Sequence, residues 1–360
     1  MAYTTIDNPE LYFQTVLYTG NGSDNHAITF DNTDTSMSPN IVWMRSRTQS
    51  GYNHYIVDTL RGVTKALRPN LYNDEDTYSD AFKSFDSNGF TLDDDASNSE
   101  INQNTKTYVA WAWATGTNGS GTTTGSGTGQ AYTYSVNTTA GISIMAYTGN
   151  GTANHTIPHH LGSTPEWFIV KIRTGDNNNW GVYHHKSNAN PEEYALYLDG
   201  TSAATDDAFL NDTAPTSTAI NLSSGNYGNV NGNTYISYCF SEVKGFSKFG
   251  KYEGNGNSDG PFVYTGFRPA WVMTKSIDTT SNWNIFDNKR STFNDVDDYI
   301  KANANAPEDT DSSNIQMDFL SNGFKLRGDN DEANGSETFI YMAFAESPFV
   351  NSNGIPTNAR

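Results

Sequence analysis

Several residue groupings in this chain have the types and spacing that chemistry requires. Histidines occur as adjacent pairs, His159–His160 and His184–His185, and as an i, i+4 pair, His155 and His159. Neighbours on a strand point to opposite faces, and Pro158 opposes a helix between His155 and His159, so neither pattern predicts an easy chelate. Acidic clusters at Asp93 to Asp95, at Asp309 and Asp311, and at Asp329 and Asp331 could offer oxygens to a hard cation. Calcium is therefore the one cofactor the sequence suggests, although none of these runs has the spacing of an EF-hand loop. Asp58 and Asp287 occupy corresponding places, each followed three residues later by an arginine, Arg61 or Arg290. A catalytic carboxylate is seldom duplicated in this way, and the pattern predicts structural ion pairs that tie strand ends. His184 stands where the middle copy would have that Asp. Trp180 follows a run containing Asp176 and Asn179, and Trp283 follows TTSN. An aromatic face beside amides and carboxylates could hold a sugar, so Trp180, Trp283, Asp176 and Asn179 form the candidate ligand set. The run GTNGSGTTTGSGTGQ lacks the Lys-Ser/Thr ending of a phosphate loop. No nucleophile elbow, Ser-His-Asp order or paired-carboxylate signature stands out. No catalytic residue is assigned and an enzyme is not expected.

These residues are carried by a repeated framework. Three phrases recur in the same order: YTGNG, YTGNG and YEGNG from Tyr18, Tyr147 and Tyr252; PNIVWMRSR, PEWFIVKIR and PAWVMTK from Pro39, Pro165 and Pro269; TYVAWAW, TYISYCF and TFIYMAF from Thr107, Thr234 and Thr338. The distance from the tyrosine of the first phrase to the threonine of the third is 89, 87 and 86 residues. Such constancy predicts three homologous modules. SNGF recurs at Ser87 and Ser321 but is missing from the middle copy. The reading is a 1–10 arm, modules over 11–116, 138–247 and 248–349, a Gly/Ser/Thr-rich linker over 117–137 and a 350–360 tail. A run without side chains to bury predicts a flexible or extended linker, with the first module free to swing.

Aromatics make up 13% of the chain and charged residues only 17%, with Asn, Asp, Ser, Thr and Gly abundant. That composition predicts an all-β fold of tandem antiparallel β-sandwiches, with several small cores rather than one large one. In PNIVWMRSR, Ile41, Trp43 and Arg45 face one way and Val42 and Met44 the other. TYVAWAW is apolar or small on both faces, as in a central strand covered on both sides. The tryptophans within repeated phrases are expected in the core. A helical turn is expected from Asp295. With 21 Lys+Arg against 40 Asp+Glu, the net charge of −19 argues against nucleic acid as a partner. The lone Cys239 excludes an intrachain disulfide. No apolar run is long enough for a membrane-spanning helix, and the N-terminal residues do not read as a secretory signal.

Through YTGNG, the Pro-led strand, VDTLRG, FDSNGFTL, TYVAWAW and the restart AGISIMAYTGNG from Ala140, the chain resembles repeat-bearing virion proteins of tailed phages, especially those of marine bacteria. The resemblance runs from about Leu11 to Phe349. It implies concanavalin- or lectin-like sandwich modules in a non-enzymatic protein on the particle surface, assembled in the host cytoplasm. The implied roles are a short tail fibre, a spike or a capsid decoration, with other virion proteins and a host-surface glycan as partners and a homotrimer as the assembly. A carbohydrate-binding receptor protein at the tail tip is the alternative, and a polysaccharide depolymerase a third. No heptad run supplies a stalk, so docking is expected through the modules or the short arm.

Overall fold

The computed structural model describes residues 3–31, 36–175, 177–225, 227–310 and 312–358. Its strands form antiparallel sheets that fall into three units of one large and one small sheet, the first with an added two-stranded ribbon of Lys65–Ala66 and Asp76–Thr77, so the chain is all-β. In the first unit the large sheet runs in the order Phe13–Thr19, Thr107–Trp113, Ile41–Ser46, Tyr55–Asp58. The second repeats that order with Ile142–Thr148, Thr234–Phe240, Trp167–Thr174 and Gly181–His184. The third does so with Ser247–Glu253, Thr338–Pro348, Phe267–Ser276 and Asn284–Asp287. Register repeats as well. Ile41, Trp167 and Trp271 lie opposite Trp113, Phe240 and Phe344 on one side, and opposite Asp58, His184 and Asp287 on the other.

Strand alternation explains how the units combine. In each large sheet one set of alternate residues packs against the unit's own small sheet: Val42, Met44 and Ala110; Phe168, Val170 and Cys239; Val272, Phe286 and Ala343. The other set, including Ile41, Trp43, Trp111, Ile169, Tyr238, Met273 and Met342, enters one core shared by all three units. The structure has the expected several cores, one in each sandwich, and adds a fourth that all three units share. All seven tryptophans of the chain lie in it. At its middle the equivalent rings of Trp113, Phe240 and Phe344 form a triangle, with centroids 6.4, 5.7 and 5.9 Å apart. Such spacing suits edge-on aromatic packing. The three sandwiches therefore close a ring around an aromatic axis, and the first unit does not swing.

The 117–137 segment is not a linker. Thr117–Thr122 and Ala131–Asn137 are strands that extend the second unit's large sheet beyond Ile142–Thr148. Thr124–Gly125 joins its small sheet beside His155–Pro158. Glycine suits this place because Tyr132 and Tyr134 lie across Gly119 and Gly121, where an added Cβ would come within 2.5 to 2.8 Å of the rings. The segment also compensates for the missing SNGF phrase. In the first and third units that phrase turns a hairpin in the small sheet, Phe82–Asp86 with Gly89–Leu92 and Met317–Leu320 with Gly323–Leu326. Among its described residues the second unit has no such hairpin, and its third small strand comes from Thr124–Gly125 on the opposite edge. The helical turn expected from Asp295 is replaced by a strand at Tyr299–Lys301, and a helical turn occurs instead at Asp331–Asn334. At the N-terminus, Thr4 Oγ1 donates to the Lys244 carbonyl and Ile6 enters the common core.

Candidate functional site

The chemically conspicuous residues converge on the seams between units. Asp58 Oδ2 accepts from Arg61 Nε at 2.5 Å, and its Oδ1 accepts the backbone N–H groups of Leu60 and Arg61. Asp287 repeats this with Arg290 Nε at 2.6 Å and the N–H groups of Lys289 and Arg290. Both pairs are wholly buried, and they tie strand ends as the sequence predicts. The structure adds a second task. Tyr238 of the second unit donates to Asp58 Oδ2 at 2.7 Å, and Trp111 of the first donates its indole N–H to Asp287 Oδ2 at 3.0 Å. Tyr238, Trp111 and Met342 hold equivalent places in the third phrase, and Met342 has no proton to give. At that seam the residue is His184, not an aspartate. Its Nδ1 accepts the Lys186 N–H at 3.0 Å, which leaves Nε2 as the donor toward the Tyr341 carbonyl at 3.3 Å. Burial holds His184 well below the usual histidine range, so the ring is neutral. The middle copy departs from the pattern because its neighbour does.

A second set of seam contacts runs round the ring. Trp180 Nε1 donates to the carbonyls of Arg68 and Leu71 at 3.1 and 3.0 Å, and Trp283 Nε1 to the carbonyl of Tyr197 at 2.9 Å. His54, at the corresponding start of Tyr55–Asp58, accepts from Trp43 Nε1 and reaches the Lys301 carbonyl at 3.0 Å. Trp180 and Trp283 are 0% exposed. The expected sugar platform is therefore corrected: stacking needs an open ring face, and both rings are sealed between units. Asn179 is half-buried and donates its backbone N–H to Asn178 Oδ1 in its own turn, while Asp176 lies outside the described residues. Charged side chains flank two of the seams. Arg173 meets Glu75 at 2.9 Å and Arg47 meets Glu308 at 2.6 Å, with Arg61 and Arg290 alongside the same two carboxylates.

Arg45, Lys171 and Lys275 hold one equivalent position and are all fully buried. Lys171 Nζ donates to the carbonyls of Tyr72 and Asn178, and Lys275 Nζ to that of Ser276 and to Ser281 Oγ. Burial pulls both lysines down to about 8. Arg45 donates to the Ala306 carbonyl.

Sequence reasoning missed one set of residues. Asn102, Asn229 and Asn334 are buried, and each pegs a YxGNG turn. Their Oδ1 atoms accept the N–H groups of Asn21, Asn150 and Asn255, and their Nδ2 groups donate to loop carbonyls such as those of Asp93, Thr152 and Asn257. The turn lies so close to this peg that a Cβ on Gly20 or Gly149 would meet a carbonyl oxygen at 2.4 Å. The signal was present: each Asn stands four or five residues before the threonine of the third phrase.

The histidine and acidic clusters have local roles. His159 Nδ1 accepts the Leu161 N–H, and His160 stacks on Tyr134 with centroids 3.7 Å apart. Asp93 pairs with Lys83 at 2.7 Å, and Asp95 Oδ2 accepts the N–H groups of Ile101 and Asn102. Asp309 accepts from the Tyr299 hydroxyl, and Asp311 lies outside the described residues. Among the described residues, no three His, Cys, Asp or Glu side chains converge as a metal-holding group, so the calcium suggestion gains no donor set there.

The surface offers wide, shallow grooves along the seams. One, of about 490 Å³, lies between Leu60 and the extended sheet of the second unit and is lined by Ser120, Thr122, Thr133, Thr148 and Arg173. Another, of about 720 Å³, lies where His185 and Lys186 of the second unit face the edge strand of the third.

The chain matches, over residues 8–348, the family described as a domain of unknown function (DUF7483), and it belongs to that family. One family match spans all three units, which agrees with a ring that shares a core. No curated protein and no solved structure matches the chain.

Proposed function

We propose that the protein is a non-enzymatic structural protein on the surface of a tailed-phage particle, serving as a short fibre, spike or capsid decoration in assembly and host-surface contact. The observation that supports this most is the locked ring: three sandwiches share one aromatic core, and the conspicuous ionisable side chains are tied into seam bonds. A body of this kind suits display and docking rather than turnover. Its net charge of −19 keeps such a surface soluble and opposes self-association. The phrases YTGNG, VDTLRG, FDSNGFTL and TYVAWAW carry the virion part of the reading. The ring is made by one chain, so a homotrimer would be a further level of assembly. An electron cryo-microscopy map of the intact particle tests the proposal. Density over the head lattice makes this a decoration protein, and density on the tail makes it a fibre or spike component. A particle that lacks the chain altogether would overturn the reading. The second reading, a glycan-binding receptor protein at the tail tip, is favoured by the 720 Å³ groove.

A further inference from the structure

We infer that the groove between the edge strands Ser247–Glu253 and Phe262–Tyr264 is a binding site for an extended acidic polysaccharide. These strands are the open edges of the third unit's two sheets. On one wall, Phe262 and Tyr264 are 47% and 51% exposed, with Val263 between them buried in the sandwich core. Alternate residues share a strand face, so the two rings present one apolar ledge with a spacing of roughly 7 Å. Lys248 and Lys251, from the two faces of the edge strand, border the same groove, with Lys186 and His185 contributed by the second unit. The floor is Gly250. A Cβ there would lie 2.6 Å from the Tyr341 hydroxyl, so only glycine lets that hydroxyl line the groove.

Two acidic residues also border the site. Glu242 is paired with Lys248 at 2.9 Å, and Glu253 lies 3.8 Å from Lys251. Three lysines against two carboxylates leave an excess of positive charge in this groove, on a chain of net charge −19, while burial holds His185 below the usual histidine range and neutral. Sugar-ring faces would lie on the aromatic ledge while their carboxylates meet the lysines.

A polysaccharide fits better than an added peptide strand. In the second unit the equivalent edge, Ile142–Thr148, is covered by the chain's own Ala131–Asn137. In the third unit the Phe249 carbonyl already accepts from His185 Nε2 at 2.8 Å. Lys251, half-exposed in the middle of what remains, is a residue that opposes strand addition. The inference rests on the host-contact reading for the source of the polymer, and on the groove for its chemistry.

The experiment is isothermal titration of the purified full chain with a uronic-acid hexasaccharide and with a neutral glucose hexasaccharide. The acidic probe should bind, and its affinity should fall at least about tenfold when salt is raised from low to high concentration. Phe262→Ala and Lys251→Glu should each weaken it about tenfold with unchanged circular dichroism, since both side chains are exposed. Absence of binding to the acidic probe overturns the inference, as does binding that both variants retain. Equal affinity for the two probes overturns the acidic assignment. Binding of a synthetic peptide with the sequence of residues 117–137, with neither hexasaccharide bound, assigns the edge to a peptide partner instead. Failure here leaves the virion reading standing, because particle density decides that separately.

Discussion

Asp58→Ala tests the seam argument most directly. The carboxylate is wholly buried and accepts four hydrogen bonds: two from backbone N–H groups, one from Arg61 and one from Tyr238 across the seam. Its removal leaves the Arg61 guanidinium buried, with Glu75 at 3.3 Å as its remaining charged neighbour. Breaking a buried pair from one side costs about 3–5 kcal/mol. Tyr238→Phe removes the inter-unit bond to Asp58 and the 3.3 Å bond its hydroxyl accepts from Arg61 Nη2, and leaves Asp58 paired with Arg61, so about 1–2 kcal/mol is expected. The double variant should fall short of additivity by about 1 kcal/mol, because the Asp58–Tyr238 bond is common to both changes. Urea unfolding followed by tryptophan fluorescence suits the measurement, since every tryptophan lies in the common core. Far-UV circular dichroism reports the sheets, and the two signals should change together because the same strands line both kinds of core. A loss below about 1 kcal/mol for Asp58→Ala, or strict additivity with Tyr238→Phe, would refute the reasoning.

The other predictions are simpler to state. His184→Asp places a buried carboxylate against the Tyr341 carbonyl, with Ser187 where the other units have arginine, and should cost about 3 kcal/mol or more in a thermal melt; an unchanged melting temperature would contradict it. Stability should rise on the order of 2–3 kcal/mol between pH 7 and 9. Lys171 and Lys275 titrate at about 8 when folded, against an ordinary value of 10.5. Below about 8 both states carry the charge and its burial cost is fully present; above it the folded state releases protons first, so rising pH favours folding. Cys239, pushed up to about 12 by burial, works in the opposite direction above its ordinary value of 9.0. Denaturant midpoints in that pH window, with Lys171→Met flattening the rise, check the assignment. A broad-specificity protease should leave 117–137 uncut in the native chain, because this stretch is paired into sheets; rapid cleavage there would show it to be unpaired.

Much of the local structure was legible because it depends on near neighbours. The two-residue alternation placed Ile41 and Trp43 opposite Val42 and Met44, and the structure keeps that division. The spacing of Asp58 with Arg61 and of Asp287 with Arg290 marked ties at strand ends, where an i, i+3 pair can close on itself. The Gly/Ser/Thr run was misread because a strand made of such residues has no hydrophobic pattern of its own. It pairs only because the edge at Ile142–Thr148 is there to receive it. Trp180 and Trp283 were misread for a related reason. A tryptophan beside Asn and Ser looks like a surface site until a neighbouring unit supplies backbone carbonyls for its N–H and covers its ring.

By itself, the sequence determined the all-β class, the threefold recurrence of the phrases and the two apolar faces of each central strand, since these follow from residue type and period. Only the tertiary structure decided what covers the second face. An apolar face specifies burial but not a partner, because hydrophobic attraction is non-directional. Closure around Trp113, Phe240 and Phe344, and the choice of aspartate or histidine at each seam, depend on donors and acceptors contributed by residues more than 150 positions away.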